Sequence, residues 1–131
     1  MSAYLKVIGT GKDPIPGPWR EPYAEFTPNH PPDNISKGDF LILYAAGHQM
    51  IFGAARVIGR APRGPDPQWP HRLEIKHIYN VPPDMGIHVN EISDERVLTR
   101  SVMQKTCISL RDAEFKAAWE LLKVRDAEVN G

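Results

Sequence analysis

ISKGDFLILYAAGHQMIFGAARVIG, Ile35 to Gly59, decides how this chain is read. Two apolar runs, Phe40 to Ala46 and Met50 to Gly59, flank the short Gly-His-Gln segment, the signature of a β-hairpin. Lys37-Gly38-Asp39 opens it, and a glycine between two polar residues at a strand start predicts a bend with positive φ at Gly38.

Proline marks where the neighbouring elements stop. Seven of the 13 prolines fall between Pro14 and Pro32, four between Pro62 and Pro70, and the last two are Pro82 and Pro83. Proline lacks a backbone donor and blocks central strands and helix interiors, so these clusters read as loops on either side of the hairpin. Between them AYLKVIG, from Ala3, reads as a first strand, and HRLEIKHIYNV, from His71, alternates Leu73, Ile75, His77 and Tyr79 with more polar neighbours as a fourth. A fifth strand is expected over Ser101–Leu110. Ser109 followed by Asp112 resembles a capping box ahead of a helix, in which Phe115, Ala118, Trp119 and Leu122 share one face. The final residues, Arg125 to Gly131, are expected to fray. Mostly strands with one good C-terminal helix predict an α+β fold, a curved mixed sheet or small open barrel, and argue against a doubly wound nucleotide-binding fold.

Composition bounds the function. A chain of 131 residues is expected to form a single domain over residues 1–131, since a second one would be too small to bury a core. Sixteen basic and 16 acidic residues cancel, so any polyanion must be met by a local patch. The single cysteine, Cys107, excludes an internal disulfide and multi-cysteine metal sites and favours a reducing compartment. The N-terminal MSAYLKVIG has no basic start and no sustained apolar run, and the longest apolar stretch is too short to span a bilayer. A soluble, cytoplasmic, monomeric protein with no membrane partner is expected.

Catalytic and metal patterns are poorly supplied. His71 and His77 would share a strand face, but six residues of strand part them by roughly 20 Å, against ligand distances of about 2 Å for zinc. No His-x-x-x-His or His-Glu-x-x-His spacing occurs, so no metal is expected. Cys107 reads as a small buried hydrophobe, Asp94 and Glu95 as a solvated pair, and GTGKD at Gly9 lacks the spacing and following helix of a phosphate loop. The expectation is a non-enzyme without catalytic residues or cofactor.

Binding chemistry is richer. From Arg56 to Lys76 five cations (Arg56, Arg60, Arg63, Arg72, Lys76) face only Asp66 and Glu74, with Trp69 and His71 among them. Guanidinium groups interleaved with aromatic faces suit phosphate contact and base stacking. Trp19, Tyr23 and Phe26 form a second aromatic group inside the first proline-rich loop, where such side chains either fold back onto the core or line a pocket.

These residues resemble a family. Lys37-Gly38-Asp39, Tyr44 and Ile51-Phe52-Gly53 are similar to the central hairpin of EVE domains in the PUA-like superfamily, distant relatives of the YTH readers of methylated RNA. WPHRLEIKHIYNVPPDMGIHVNEI, from Trp69, resembles the family's next segment, and SLRDAEFKAAWELL, from Ser109, its closing helix. The resemblance covers about two thirds of the chain, from Ile35 onward. YLKVIGTGKDP stands where the family often has a strand ending in Lys-Ser-Glu-Pro, and GPWREPY is a loose counterpart of its Trp-Gly-Val-Arg segment.

The resemblance implies a PUA-like mixed-sheet pseudobarrel with a C-terminal helix and a pocket for a modified base such as methylated or hydroxymethylated cytosine. The expected function is therefore a non-catalytic reader of a modified nucleobase in single-stranded or base-flipped DNA or RNA. Trp19 and Trp69 would supply stacking faces, Tyr44 would end its strand at the pocket mouth, and Arg72 would contact a phosphate or base edge. The alternatives are a small-molecule or nucleotide-binding domain using the same pocket, or an accessory subunit of a nucleic-acid-processing enzyme.

Overall fold

The computed structural model describes residues 1–92 and 107–131, and the expected solvated pair Asp94 and Glu95 and the start of the expected fifth strand lie outside them. The hairpin forms as read: β3 (Phe40–Ala45) and β4 (Met50–Arg60) pair antiparallel from Phe40↔Arg56 to Ala45↔Met50. Its opening is a compact knot of hydrogen bonds. Gly38 has φ +93°, as expected, and its N–H donates to the Val57 carbonyl at 2.8 Å. Buried Asp39 accepts from the Ser36 N–H (2.9 Å) through one oxygen and from the Ser2 N–H (3.0 Å) through the other, tying the bend to the start of the first strand.

β1 (Ala3–Ile8) lies parallel to β3, and β5 (His71–Asn80) lies antiparallel to β4. Two strands were not legible. Tyr23–Phe26, read above as loop, is β2, an edge strand paired with β5 from Tyr23↔Glu74 to Phe26↔His71. Pro22 lies just before it and Pro28 two residues beyond, where the missing donors break no ladder. Ile87–His88 forms a short β6 on β4. Of the expected fifth strand, Cys107–Ser109 is described, as β7 on β1. The sheet order is β2-β5-β4-β3-β1-β7, and the mixed sheet is curled into a half-barrel, so the architecture is α+β with one long C-terminal helix.

That helix, α1 (Asp112–Asn130), starts later than read. Ser109 is held in β7 opposite Tyr4, so it cannot cap. The Arg111 N–H instead donates to the Glu114 carboxylate at 2.9 Å. Its far end does not fray as expected. The Asp126 carboxylate accepts the Asn80 N–H and the Asn130 side chain donates to the Asn80 carbonyl, both at 2.8 Å.

Alternation sorts the side chains into two cores, interrupted by a bulge in β4 opposite Leu43 and Tyr44 and by one in β5 that turns Tyr79 to the helix side, away from the face of Leu73 and Ile75 on which it was expected. Toward α1 point Leu5, Ile42, Tyr44, Ile51 and Ala54, meeting Ala118 and Leu122. Away from it point Tyr4, Ile8, Leu41, Leu43, Phe52, Ala55, Leu73 and Ile75, joined by Phe26 of β2. Residues 9–22 run from β1, near one end of the sheet, to β2 at the other, and lay Trp19 edge-on against Phe52 of β4 (ring centroids 6.2 Å). The curl is tight enough that Lys6 of β1 brings its Nζ within 4.6 Å of the Phe26 ring of β2. Among the described residues no backbone hydrogen bond joins β1 to β2 across this seam, and side chains meet there instead.

Candidate functional site

A cavity of about 250 Å³ opens on the sheet face away from the helix, lined by Lys6, Thr10, Asp13, Trp19, Glu25 and Trp69 with apolar backing from Ile8 and Ile15. Two of the four residues expected at a binding site therefore meet. Each tryptophan is placed by its own loop. The Asn80 side chain donates to the Trp19 carbonyl at 2.8 Å, His77 Nε2 donates to the Glu21 carbonyl at 2.7 Å, and the Trp19 ring stands edge-on to His77 at 5.6 Å. Trp69 closes a tight turn, its N–H donating to the Asp66 carbonyl (3.0 Å) while Gly64 N–H donates to the Pro70 carbonyl (3.0 Å).

Tyr44 does not belong to this cavity, which corrects its expected place at the pocket mouth. Within β3, Leu41, Leu43 and Ala45 face the cavity side, so parity sends Tyr44 to the helix side, where it is 6% exposed. Burial there pushes its hydroxyl pKa up. Arg72 is not among the lining residues either. Its guanidinium lies 4.2 Å over the Tyr23 ring and its Nε donates to the Pro62 carbonyl at 3.0 Å, pinning the base of the Trp69 loop to the sheet edge.

The residue that sequence reasoning missed is Lys6. A lysine in AYLKVIG reads as the polar member of an alternating edge strand, yet it is 1% exposed. It points to the same face as Tyr4 and Ile8, with Nζ 5.5 Å from the Trp69 ring and 4.6 Å from Phe26. Loss of hydration lowers its pKa from the usual 10.5 to about 8, although the neighbouring Cys107 and Glu25 pull the other way. Its one signal in the sequence is its position, between Leu5 and Val7 in a strand that both neighbours keep interior.

Thr10 and Asp13 reach the cavity from a turn in which Thr10 N–H donates to the Asp13 carbonyl (3.1 Å) and Asp13 N–H to the Thr10 hydroxyl (2.8 Å). The strand β2 follows that loop, so GTGKD is a turn with no helix behind it. Cys107 lines a second cavity, of about 430 Å³, with Tyr4, Phe26 and Ile35, and its thiol is pushed up to about 11 by burial, which leaves it a poor nucleophile. Among the described residues no cluster of three or more histidine, cysteine, aspartate or glutamate side chains converges, and no helix is long and apolar enough to cross a membrane.

No family model matches the chain. No curated protein matches it. Solved structures do resemble it. The NMR structure of Rpa0253 from Rhodopseudomonas palustris, a structural-genomics target, superimposes with a TM-score of 0.60 at 13% identity, over 95% of this chain and 94% of that one. The crystal structure of Atu2648 from Agrobacterium tumefaciens gives 0.54 at 12% identity, over 95% and 93%. At these identities the likeness is one of fold.

Proposed function

We propose that the chain is a PUA-like, EVE-type nucleic-acid-binding module that takes one extruded nucleobase into the cavity between the two proline-rich loops, without catalysing a reaction. The observation that carries this reading is that Trp19 and Trp69, from separate loops, line one cavity. Its volume of about 250 Å³ falls below the roughly 300–1,000 Å³ of sites for drug-sized ligands and suits a single ring system. Extruding a base costs a few kcal/mol, and stacking at about 1–3 kcal/mol per base together with edge hydrogen bonds offsets it. Both loops are held to the sheet before any ligand arrives, so little ordering entropy is lost on binding. Arg72, beside the Trp69 loop rather than in the cavity, suits a phosphate of the flanking backbone.

Fluorescence anisotropy with single-stranded and base-modified oligonucleotides tests the reading. Trp19→Ala and Trp69→Ala are each expected to weaken binding by about 1–3 kcal/mol while the fold persists. The reading is abandoned if no oligonucleotide binds more tightly than about 10⁻⁴ M, the weak end of non-specific affinity, or if both variants bind like the parent. The second reading, a small anionic or acceptor-bearing ligand in the same cavity, is favoured by its buried lysine. Affinity that barely changes with salt marks that outcome, since phosphate contacts make affinity fall steeply with salt.

A further inference from the structure

Lys6 is an odd residue to bury. A lysine side chain carries only donors when charged, and among the described residues Nζ makes one hydrogen bond, to the Val7 carbonyl at 3.2 Å. Its remaining hydrogens have no acceptor among the described residues, in a side chain 1% exposed on the wall of the tryptophan cavity. The Trp69 and Phe26 rings lie near enough to favour its charge, but they do not replace a hydrogen-bond acceptor. Buried donors left unmatched are rare because they are costly. A donor of this kind on a cavity wall is matched when the ligand brings the acceptor.

We propose that Lys6 makes the cavity selective for keto over amino nucleobases, by donating to the exocyclic carbonyl that leads into the pocket: O6 of guanine, or O4 of uracil or thymine. An extruded base stays tethered to its sugar through N9 or N1, so the sugar remains at the mouth. The edge remote from that bond enters first. In guanine, uracil and thymine this edge carries a carbonyl; in adenine and cytosine it carries an amino group, whose hydrogens would meet those of Lys6. A site built around one such contact rejects the mismatched partner because both groups then stay unpaired. Guanine fits best, since N7 beside O6 offers a second acceptor to a second Nζ hydrogen, a pairing lysine commonly makes. This inference rests on the base-reading proposal, narrows it, and parts from the methylated cytosine that the family resemblance implies.

Proton linkage supplies a second signature. Around Lys6 stand Glu25 on β2, Cys107 on β7 and Asp13 in the first loop, and the amine loses its proton near pH 8. A charged amine only donates, whereas a neutral one gains a lone pair that accepts from an amino group. The keto preference is therefore largest below pH 8 and declines above it.

The test is anisotropy with single-stranded oligonucleotides that differ only in a central guanine, uracil, adenine, cytosine or 5-methylcytosine. Parent, Lys6→Met and Lys6→Gln are compared at pH 6.5 and 9, with circular dichroism to establish folding. In the parent at pH 6.5, guanine and uracil should bind about 5- to 150-fold more tightly than adenine and cytosine. Lys6→Met should erase that ratio while binding still depends on Trp19 and Trp69; Lys6→Gln, which offers both donor and acceptor, should blur it. Should neither variant fold, the parent's ratio must still fall between pH 6.5 and 9. Equal or tighter binding of the amino bases, with tryptophan dependence intact, overturns the inference and spares base reading. A keto preference that survives in folded Lys6→Met overturns the role of Lys6. Absence of all binding removes both.

Discussion

The two faces of the sheet are equally aromatic and chemically opposite. On the helix side Trp119 packs on Phe40 (5.3 Å), Tyr79 (5.0 Å) and Phe115 (5.6 Å), a closed set in which every ring meets another ring. On the other side Trp69 and Phe26 meet a buried amine, and Trp19 looks onto the same cavity. Aromatic content alone does not mark a site, because most large rings are there to be buried. What sets this face apart is the buried Lys6 amine, with a single hydrogen bond, among the rings.

The largest effect expected from breaking this contrast is on the helix side. Trp119→Ala should destabilise the fold by about 3–5 kcal/mol, the range for truncating large packed aromatics. Urea melts measure it, and oligonucleotide affinity of the folded fraction should hold. Lost binding in a stable Trp119→Ala protein would make the two faces functionally one.

Lys6→Met should act in the opposite direction. The gap between 10.5 and about 8 in the Lys6 pKa corresponds to about 3 kcal/mol at roughly 1.4 kcal/mol per pH unit. The sign follows from proton counts. Between pH 8 and 10.5 the unfolded chain holds more protons on Lys6 than the folded one, so the parent gains stability as pH rises through that window. Lys6→Met, with no such proton, should be more stable than the parent by about that amount below pH 8. The difference should shrink toward pH 10.5, and paired denaturant midpoints at pH 7 and 10 check it. A variant no more stable than the parent at pH 7 would mean that the amine is better solvated than its burial implies.

Asn80 joins the two faces. Its side chain holds the Trp19 carbonyl while its backbone is held by Asp126 and Asn130 of α1. Asn80→Ala removes the donor to a part-buried carbonyl, with an expected cost of about 1–3 kcal/mol. Because Trp19 is placed by that bond, affinity should fall as well. Stability lost with affinity unchanged would show that Trp19 is positioned by Phe52 and His77 alone.

The smallest effect is expected at Gly38. A side chain there would find space, the nearest atom to an added Cβ being Arg56 Nη2 at 4.0 Å, so the cost is that of the positive φ itself. Gly38→Ala should lose about 1–2 kcal/mol, read as a shifted denaturant midpoint without change in binding. An unshifted midpoint would remove the bend from the account.

Local chemistry was readable wherever one residue decided its own conformation. Gly38 at the bend, the apolar parity of β3, and the face shared by Phe115, Ala118, Trp119 and Leu122 all follow from sterics and periodicity, whereas the bulges that break parity in β4 and β5 do not. What failed depended on distant partners. Tyr23–Phe26 became a strand because β5 offered it an edge, and Ser109 lost its capping role because β1 claimed it for a ladder. Tyr44 looked like a pocket residue because it ends a strand, yet its parity sends it to the other face. Arg72 carries the charge of a binding residue but fastens a loop. Lys6 was passed over because nothing beside it in the chain shows that the curled sheet would bring β2 across to cover it. The pairing of Trp19 with Trp69 was readable because proline confines each to a loop flanking the same hairpin.

The seam between β1 and β2 bears on how such a pocket can change over time. Neighbouring strands in a ladder are locked about 4.7–4.9 Å apart, and widening a cavity within a ladder means re-registering a strand. Across this seam the separation is set by the volumes of Lys6, Phe26 and Trp69. Substitution at those three positions can therefore retune the width and polarity of the cavity with every backbone hydrogen bond kept. One sheet can thus carry cavities of different width and polarity without any change of fold.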